Sequence, residues 1–248
     1  MYPRILNLGD GALTVEFGDR IDPALVERVA ALDRLCGDEI AAGRLMGVIE
    51  TVPTFRSLGV IFDPVAVRRA TLIPRLEALL AAAQGAPAAA TRLWRLPVHY
   101  GGTDGPDLAA LAEAANKAAG DAAALHAATD SRVYMLGFLP GFPFMGDLPA
   151  PLRLPRRSEP RVAVPAGSVA VATGLTAIYP WQSPGGWHLI GACPVPLFDA
   201  ARAEPALLRA GDRVRFEPVT RDAAAAIGAE LAAGRSTPDD FLATEAPP

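Results

Sequence analysis

The sequence predicts a small α+β domain over residues 1–87 and a mostly-β domain with a closing helix over 88–248. Three observations carry this. The first third alternates strand pairs with helices in the order β-β-α-β-β-α, which packs helices on one face of an antiparallel sheet. GAPAAAT (85–91) breaks the composition and reads as a linker. From residue 161 onward, short apolar runs are punctuated by Gly and Pro, the pattern of a barrel or sandwich.

Each element follows from local chemistry. ILNLGDGALTVEFGD (5–19) reads as two strands around Gly9-Asp10-Gly11, a hairpin signal. Asp22 suits an N-cap and Pro23 the first helical position, so a helix opens there and runs to about Ala42. Leu25, Val29, Leu32 and Leu35 fall on one of its faces. GVIETVPTFRSLGVIFD (47–63) gives two strands joined around Pro53, and Asp63-Pro64 repeats the cap device for a second helix to about Ala83. LWRLPVHY (93–100) is a strand, DLAALAEAANKAAG (107–120) an Ala-rich helix capped by Gly120, and VYMLGFL (133–139) a strand. Residues 220–233 form the closing helix, and STPDDFLATEAPP reads as a frayed tail.

The bulk numbers exclude several classes. Of 248 residues, 51% are apolar and 20% charged, enough for a sizeable core and too apolar for global disorder. Net charge is −4 and no basic run occurs, which argues against nucleic acid as a partner. ALLAAAQGAPAAA (78–90) carries Gly and Pro and falls short of a membrane span, and the start lacks the apolar region of a secretory signal. The expectation is a cytoplasmic protein. Cys36 and Cys193 are too few for a disulfide framework, and His99, His126 and His188 lack ligand spacing, so no metal site is expected. Phosphate-binding Gly-Lys loops, serine nucleophile elbows and zinc-binding His-Glu motifs are absent.

Four stretches could carry chemistry. GFLPGFPFMG (137–146) is either core bent by glycines or the apolar wall of a pocket. In YPWQSPGGWHLIG (179–191), Ser183-Pro184-Gly185-Gly186 reads as a tight turn flanked by Trp181 and Trp187. That turn caps a hairpin or offers backbone N–H groups to an anion. PAGSVA (165–170) is a second turn, with the Ser168 hydroxyl available. PRRSEPR (155–161) reads as a solvated charge run, except that Arg161 sits at the mouth of an apolar strand, where a guanidinium can grip a carboxylate or phosphate. His126 ends an Ala-rich segment and is placed either to cap a helix C-terminus or to act as an acid or base.

These stretches, taken in order with RVAVPAGSVAVATGLTAIYP (161–180), resemble the Kip-type inhibitor family, also called allophanate hydrolase subunit 1 and, in bacteria, the B-type component of 5-oxoprolinase. LGDGALTVEFGD, VPTFRSLGVIFDP and GPDLAALA extend the resemblance over nearly the whole chain. It implies a cyclophilin-like barrel in the second domain. It also implies partners: a homologous component of the 5-oxoprolinase C type and a third of the A type, which together open 5-oxoproline to glutamate at the expense of ATP. Other members inhibit a sensor histidine kinase, or serve allophanate- and urea-type amidohydrolases or carboxyltransferases; a prolyl isomerase is suggested only by the barrel.

Carried over by position, the resemblance implies a substrate pocket lined by Phe138, Pro140, Gly141 and Phe142, then Arg161, Pro165, Gly167 and Ser168, then Thr176, Tyr179, Ser183, Gly185, Gly186 and Trp187. His126 and Arg161 are the catalytic candidates, and ATP is the expected cosubstrate, bound here or with the partner. Ala127, Ser131, Leu175 and Ala177 depart from the family pattern; Leu175 removes an amide able to donate and accept. A small lactam with a carboxylate suits apolar walls, one Arg and several Gly N–H groups.

Overall fold

The computed structural model describes residues 2–84 and 91–243. The predicted linker lies outside the described residues apart from Thr91, as do the last five residues of the predicted tail. The chain divides into two compact units, residues 1–90 and 91–248.

In the first unit, β1 (Arg4–Asn7), β2 (Ala12–Glu16), α1 (Pro23–Ala41), β3 (Val48–Pro53), β4 (Ser57–Phe62) and α2 (Arg69–Ala83) follow one another, and the strands form an antiparallel sheet in the order β1-β2-β4-β3. Asp22 caps α1 through its carboxylate, which accepts from the Ala24 N–H at 2.9 Å. One helix face buries Val26, Val29, Leu32 and Cys36. Leu13 and Val15 of β2 and Leu58, Val60 and Phe62 of β4 alternate onto the same core.

The second Asp-Pro device behaves differently from the prediction. Asp63 does cap, accepting from Val65 N–H at 2.8 Å, but it caps an isolated turn. Helix α2 starts only at Arg69, after Arg68, which provides no side-chain cap. Val67 is held in the core and fixes that turn instead of extending it into the helix.

The second unit contains β5 (Leu93–Tyr100), α3 (Leu108–Ala114), α4 (Ala119–Ala127), β6 (Ser131–Leu136), β7 (Pro143–Gly146), β8 (Arg161–Val164), β9 (Ser168–Ala172), β10 (Leu175–Ile178), β11 (Ser183–Gly185), β12 (His188–Ala192), β13 (Arg213–Pro218) and α5 (Arg221–Ala232). Seven strands close a barrel in the order β10-β7-β6-β13-β5-β12-β9. Pairing around it is antiparallel except between β13 and β5, which run parallel from Arg213 opposite Leu93 to Pro218 opposite Val98. Strands β8 and β11 form a separate two-stranded ribbon.

Strand alternation sorts the side chains. Val169, Val171, Ile178 and Ile190 join the main core, whereas Ala170, Ala172, Ala177 and Leu189 face the other way and pack with Phe142, Val164, Tyr179 and Trp187. The aromatic cluster therefore lies on the outer face of β9, β10 and β12.

Three sequence expectations change here. The single Ala-rich helix is two, α3 and α4, because Asn116 adopts φ +53° between them; Gly120 lies inside α4 rather than capping a helix. The strand through 133–139 ends at Leu136, since Phe138 takes φ +69° and Gly141 φ +77° in the following loop. The predicted frayed tail is docked as far as Ala243. A 3₁₀ turn at Pro238–Phe241 is closed by Thr237 and Asp240, Leu242 bridges Trp94, and Ala243 N–H donates to the Leu93 carbonyl at 2.8 Å.

Candidate functional site

Phe142 is the centre of the aromatic cluster. Its ring stands edge-on to Tyr179 at 5.0 Å, to Trp187 at 6.2 Å and to Phe138 at 5.5 Å, and tilted to Phe144 at 5.0 Å. Phe142, Tyr179 and Trp187 are buried, whereas Phe138 is 64% exposed. Gly141 allows the loop to fold down: its positive φ favours glycine, and a Cβ there would come within 2.8 Å of Phe198. Pro140 contributes its carbonyl, which accepts from Trp181 Nε1 at 3.2 Å.

The SPGG segment is not the expected tight turn. Ser183 and Gly185 belong to β11 and pair with Val164 and Arg161 of β8 across a bulge. Glycine is needed at 185 because a Cβ would lie 2.3 Å from the Tyr179 hydroxyl. The bare backbone thus lets that phenol reach the strand opposite Arg161. Ser183 is buried, and its Oγ makes no hydrogen bond among the described residues.

Arg161 and Arg157 converge on Asp107, a residue the sequence marked only as the start of a helix. Asp107 gives α3 no side-chain cap. Its Oδ1 instead accepts from Arg161 Nη2 at 2.7 Å and Arg157 Nη1 at 3.1 Å, and its Oδ2 from the Leu189 N–H at 2.7 Å. Burial pushes the Asp107 carboxyl up, but the Arg161 and Leu189 hydrogen bonds and the two guanidinium charges outweigh it, holding the group below its ordinary value. Arg161 keeps Nη1 buried with no partner among the described residues. PRRSEPR is a solvated face at Pro155, Arg156, Ser158, Glu159 and Pro160, as expected, and Arg157 joins Arg161 as an exception, both held by Asp107. An acidic residue after Gly-Pro at a helix start was the available signal, but nothing local pairs it with arginines so far along the chain.

Thr176 and His126 belong elsewhere. Thr176 points into the barrel, where its hydroxyl donates to the Ala170 carbonyl at 3.1 Å and so accepts from His126 Nε2 at 2.9 Å. The remaining His126 nitrogen, Nδ1, accepts from the Tyr100 hydroxyl at 2.7 Å. The imidazole stacks on Phe216 at 4.7 Å and has no solvent exposure. Burial depresses its pKa to about 3, so the ring is neutral. As a catalytic candidate His126 is therefore corrected: both nitrogens are engaged inside the barrel, away from the ring cluster, and the residue positions β10 and β5.

Pro165, Gly167 and Ser168 form the bend between β8 and β9. Gly167 N–H donates to the Tyr179 carbonyl at 2.7 Å, and its own carbonyl accepts from Cys193 N–H at 2.8 Å, which seats Tyr179. Ser168 is buried at the start of β9 and Pro165 is exposed. Gly186 uses its carbonyl to accept from Arg157 N–H at 2.8 Å. The fold therefore gathers Arg161, Tyr179, Ser183, Gly185, Phe142 and Trp187 into one neighbourhood, leaves Phe138 on the rim, and separates Thr176 and His126 from it. Of the departures, Leu175 packs its side chain against the ring cluster, and Ser131 is buried with its Oγ unbonded.

Against known proteins, the model of the family described as carboxyltransferase domain, subdomain C and D, matches residues 3–208. The B subunit of 5-oxoprolinase from Escherichia coli O157:H7 is 38% identical over 211 residues, covering 85% of this chain and 94% of that protein. The protein of the same name from Bacillus subtilis (strain 168) is 36% identical over 223 residues, covering 86% and 91%. The crystal structure of TTHA0988 superposes with a TM-score of 0.72 at 37% identity over 84% of this chain; the match spans 40% of that longer protein.

Proposed function

Because this chain belongs to the carboxyltransferase-domain family, subdomain C and D, we propose that it is the B-type component of an ATP-dependent 5-oxoprolinase. The reading rests on one observation above others: two proteins named as the B subunit of 5-oxoprolinase align with it over more than nine-tenths of their length. The site chemistry agrees. Arg161, anchored by Asp107 with Nη1 still free, is the group for the lactam carboxylate. Phe142, Tyr179 and Trp187 supply an apolar floor beside it, and the Ser183 hydroxyl a spare hydrogen bond.

Lactam opening is slow because amide resonance protects the carbonyl. ATP would phosphorylate the lactam oxygen, releasing ADP, and water would then add to the activated carbon with loss of phosphate. Charge stabilisation for that transfer needs more groups than this ring cluster offers, so the active assembly includes C-type and A-type partners and the chain alone is inactive. The barrel takes the cyclophilin-like form, and the protein works in the cytoplasm. Among the described residues no helix is long and apolar enough to cross a membrane.

The test is reconstitution of the three components with 5-oxoproline and ATP, reading glutamate and ADP. Stoichiometric formation of both is expected, and Arg161→Lys, which keeps a cation beside Asp107 but loses the second guanidinium N–H, should raise KM for 5-oxoproline at least tenfold while the thermal midpoint of the isolated chain moves little. Absence of turnover with all three components present would overturn the reading.

A further inference from the structure

Next to the Asp107 cluster, a cavity of about 470 Å³ opens between residues 154–159 and His188. Its volume suits a small ligand, and none of the sequence-predicted pocket residues lines it. Leu154, Pro155, Arg156, Arg157, Ser158, Glu159 and His188 line it, so two arginines stand there against one carboxylate, Glu159. Arg157 is braced from behind by Asp107 and by its own N–H on the Gly186 carbonyl. Arg156 has no hydrogen bond or ion pair among the described residues, so its charge is uncommitted. His188 donates Nε2–H to the Pro155 carbonyl at 2.9 Å, which fixes its ring against the loop.

The charge balance decides what fits. Among the lining residues Arg156 and Arg157 stand against Glu159, which leaves one positive charge over; the Asp107 carboxylate behind Arg157 is shared with Arg161. A surplus of planar guanidinium donors suits a tetrahedral oxyanion, which they grip with paired N–H groups. No Phe, Tyr or Trp lines the cavity, so it offers no large ring on which to stack a nucleobase. We propose that this cavity binds the phosphoryl group of inorganic phosphate or of a small phosphorylated acid, and not a nucleotide. The site stands on its own geometry; only its biological role, holding phosphate or a phosphorylated acid formed from ATP, rests on the 5-oxoprolinase reading.

The test is a ³¹P NMR titration of the full chain in low-chloride buffer with inorganic phosphate, O-phosphoserine and ADP. Phosphate and phosphoserine should bind saturably, and ADP no tighter than phosphate. Arg156→Gln, which removes no bond from the fold, should weaken phosphate at least fivefold, and Arg157→Gln more. A midpoint of thermal unfolding within a few degrees of the parent shows that each variant is folded. No saturable binding, or unchanged affinity in both variants, overturns the site, and ADP tenfold tighter than phosphate replaces it with a nucleotide site. Phosphate binding without turnover in the three-component assay would sink the enzyme reading alone, and turnover without phosphate binding the cavity alone.

Discussion

His126 shows how one buried side chain can tie stability to pH without taking part in chemistry. Its folded pKa, about 3, lies below the ordinary value of 6.5, so the unfolded chain takes up a proton that the native state refuses. This group's contribution is whole above pH 6.5 and declines as pH falls toward 3. Between pH 7 and pH 5 it should cost about 2 kcal/mol of unfolding free energy, seen as a falling urea midpoint. In His126→Gln the protein should be less stable at pH 7 but should lose that part of the slope; an identical slope in both proteins would contradict the assignment. Asp107 has the opposite partner arrangement, a charged group held by cations. Its depressed pKa keeps the cluster intact at neutral pH, and its contribution disappears only as pH falls below the ordinary value of 3.8. Asp107→Asn should therefore destabilise by about 2 kcal/mol at pH 7, with a smaller difference from the parent at pH 3 in chemical denaturation. Burial pushes the thiols of Cys36 and Cys193 up to about 12. Iodoacetamide should leave both unmodified for hours in native buffer and alkylate both within minutes in urea; rapid native labelling would mean that the barrel breathes at Cys193.

At the scale of elements, the same short motif gives different outcomes in different surroundings. Asp22-Pro23 starts α1 where the prediction put it, and Asp22→Ala should cost about 1 kcal/mol, measurable by urea unfolding. Asp63-Pro64 makes an equivalent local bond yet starts no helix. The difference is tertiary: Val67 must reach the core before α2 can begin. The glycines of the SPGG segment teach a similar lesson. The sequence marks them as turn formers, but their role in β11 is steric, because Tyr179 occupies the space of a Gly185 side chain. Gly185→Ala should displace the phenol and cost about 1–3 kcal/mol. The double variant Gly185→Ala with Tyr179→Phe should recover part of that loss; a purely additive pair would show that the contact is not the constraint. Strand and helix positions were legible because alternation and capping are local. The ribbon β8–β11 was not, since its two strands are short, separated by residues 165–182 and defined only by each other.

At the scale of the molecule, barrel closure is secured where β5 and β13 begin. Asp212 accepts from Arg92 Nε at 2.8 Å and Nη2 at 2.5 Å, from Trp94 Nε1 at 3.1 Å and from Arg209 N–H at 2.9 Å. Asp212→Asn leaves Arg92 without its charge partner beside a fully buried Trp94 and should cost about 3 kcal/mol, read from thermal or urea unfolding. Residue order alone settles the succession of strands and helices in the first unit, the α1 cap and the composition of the ring-rich loop, because these follow from neighbours a few residues apart. The motifs in that order also carry the family. Folding in three dimensions settles the rest: Thr176 and His126 face inward while Phe142, Tyr179 and Trp187 face outward, and Asp107 holds two arginines of a distant loop. Those outcomes depend on which strand pairs with which, and therefore on which face each side chain meets, a relation that spacing along the chain does not encode.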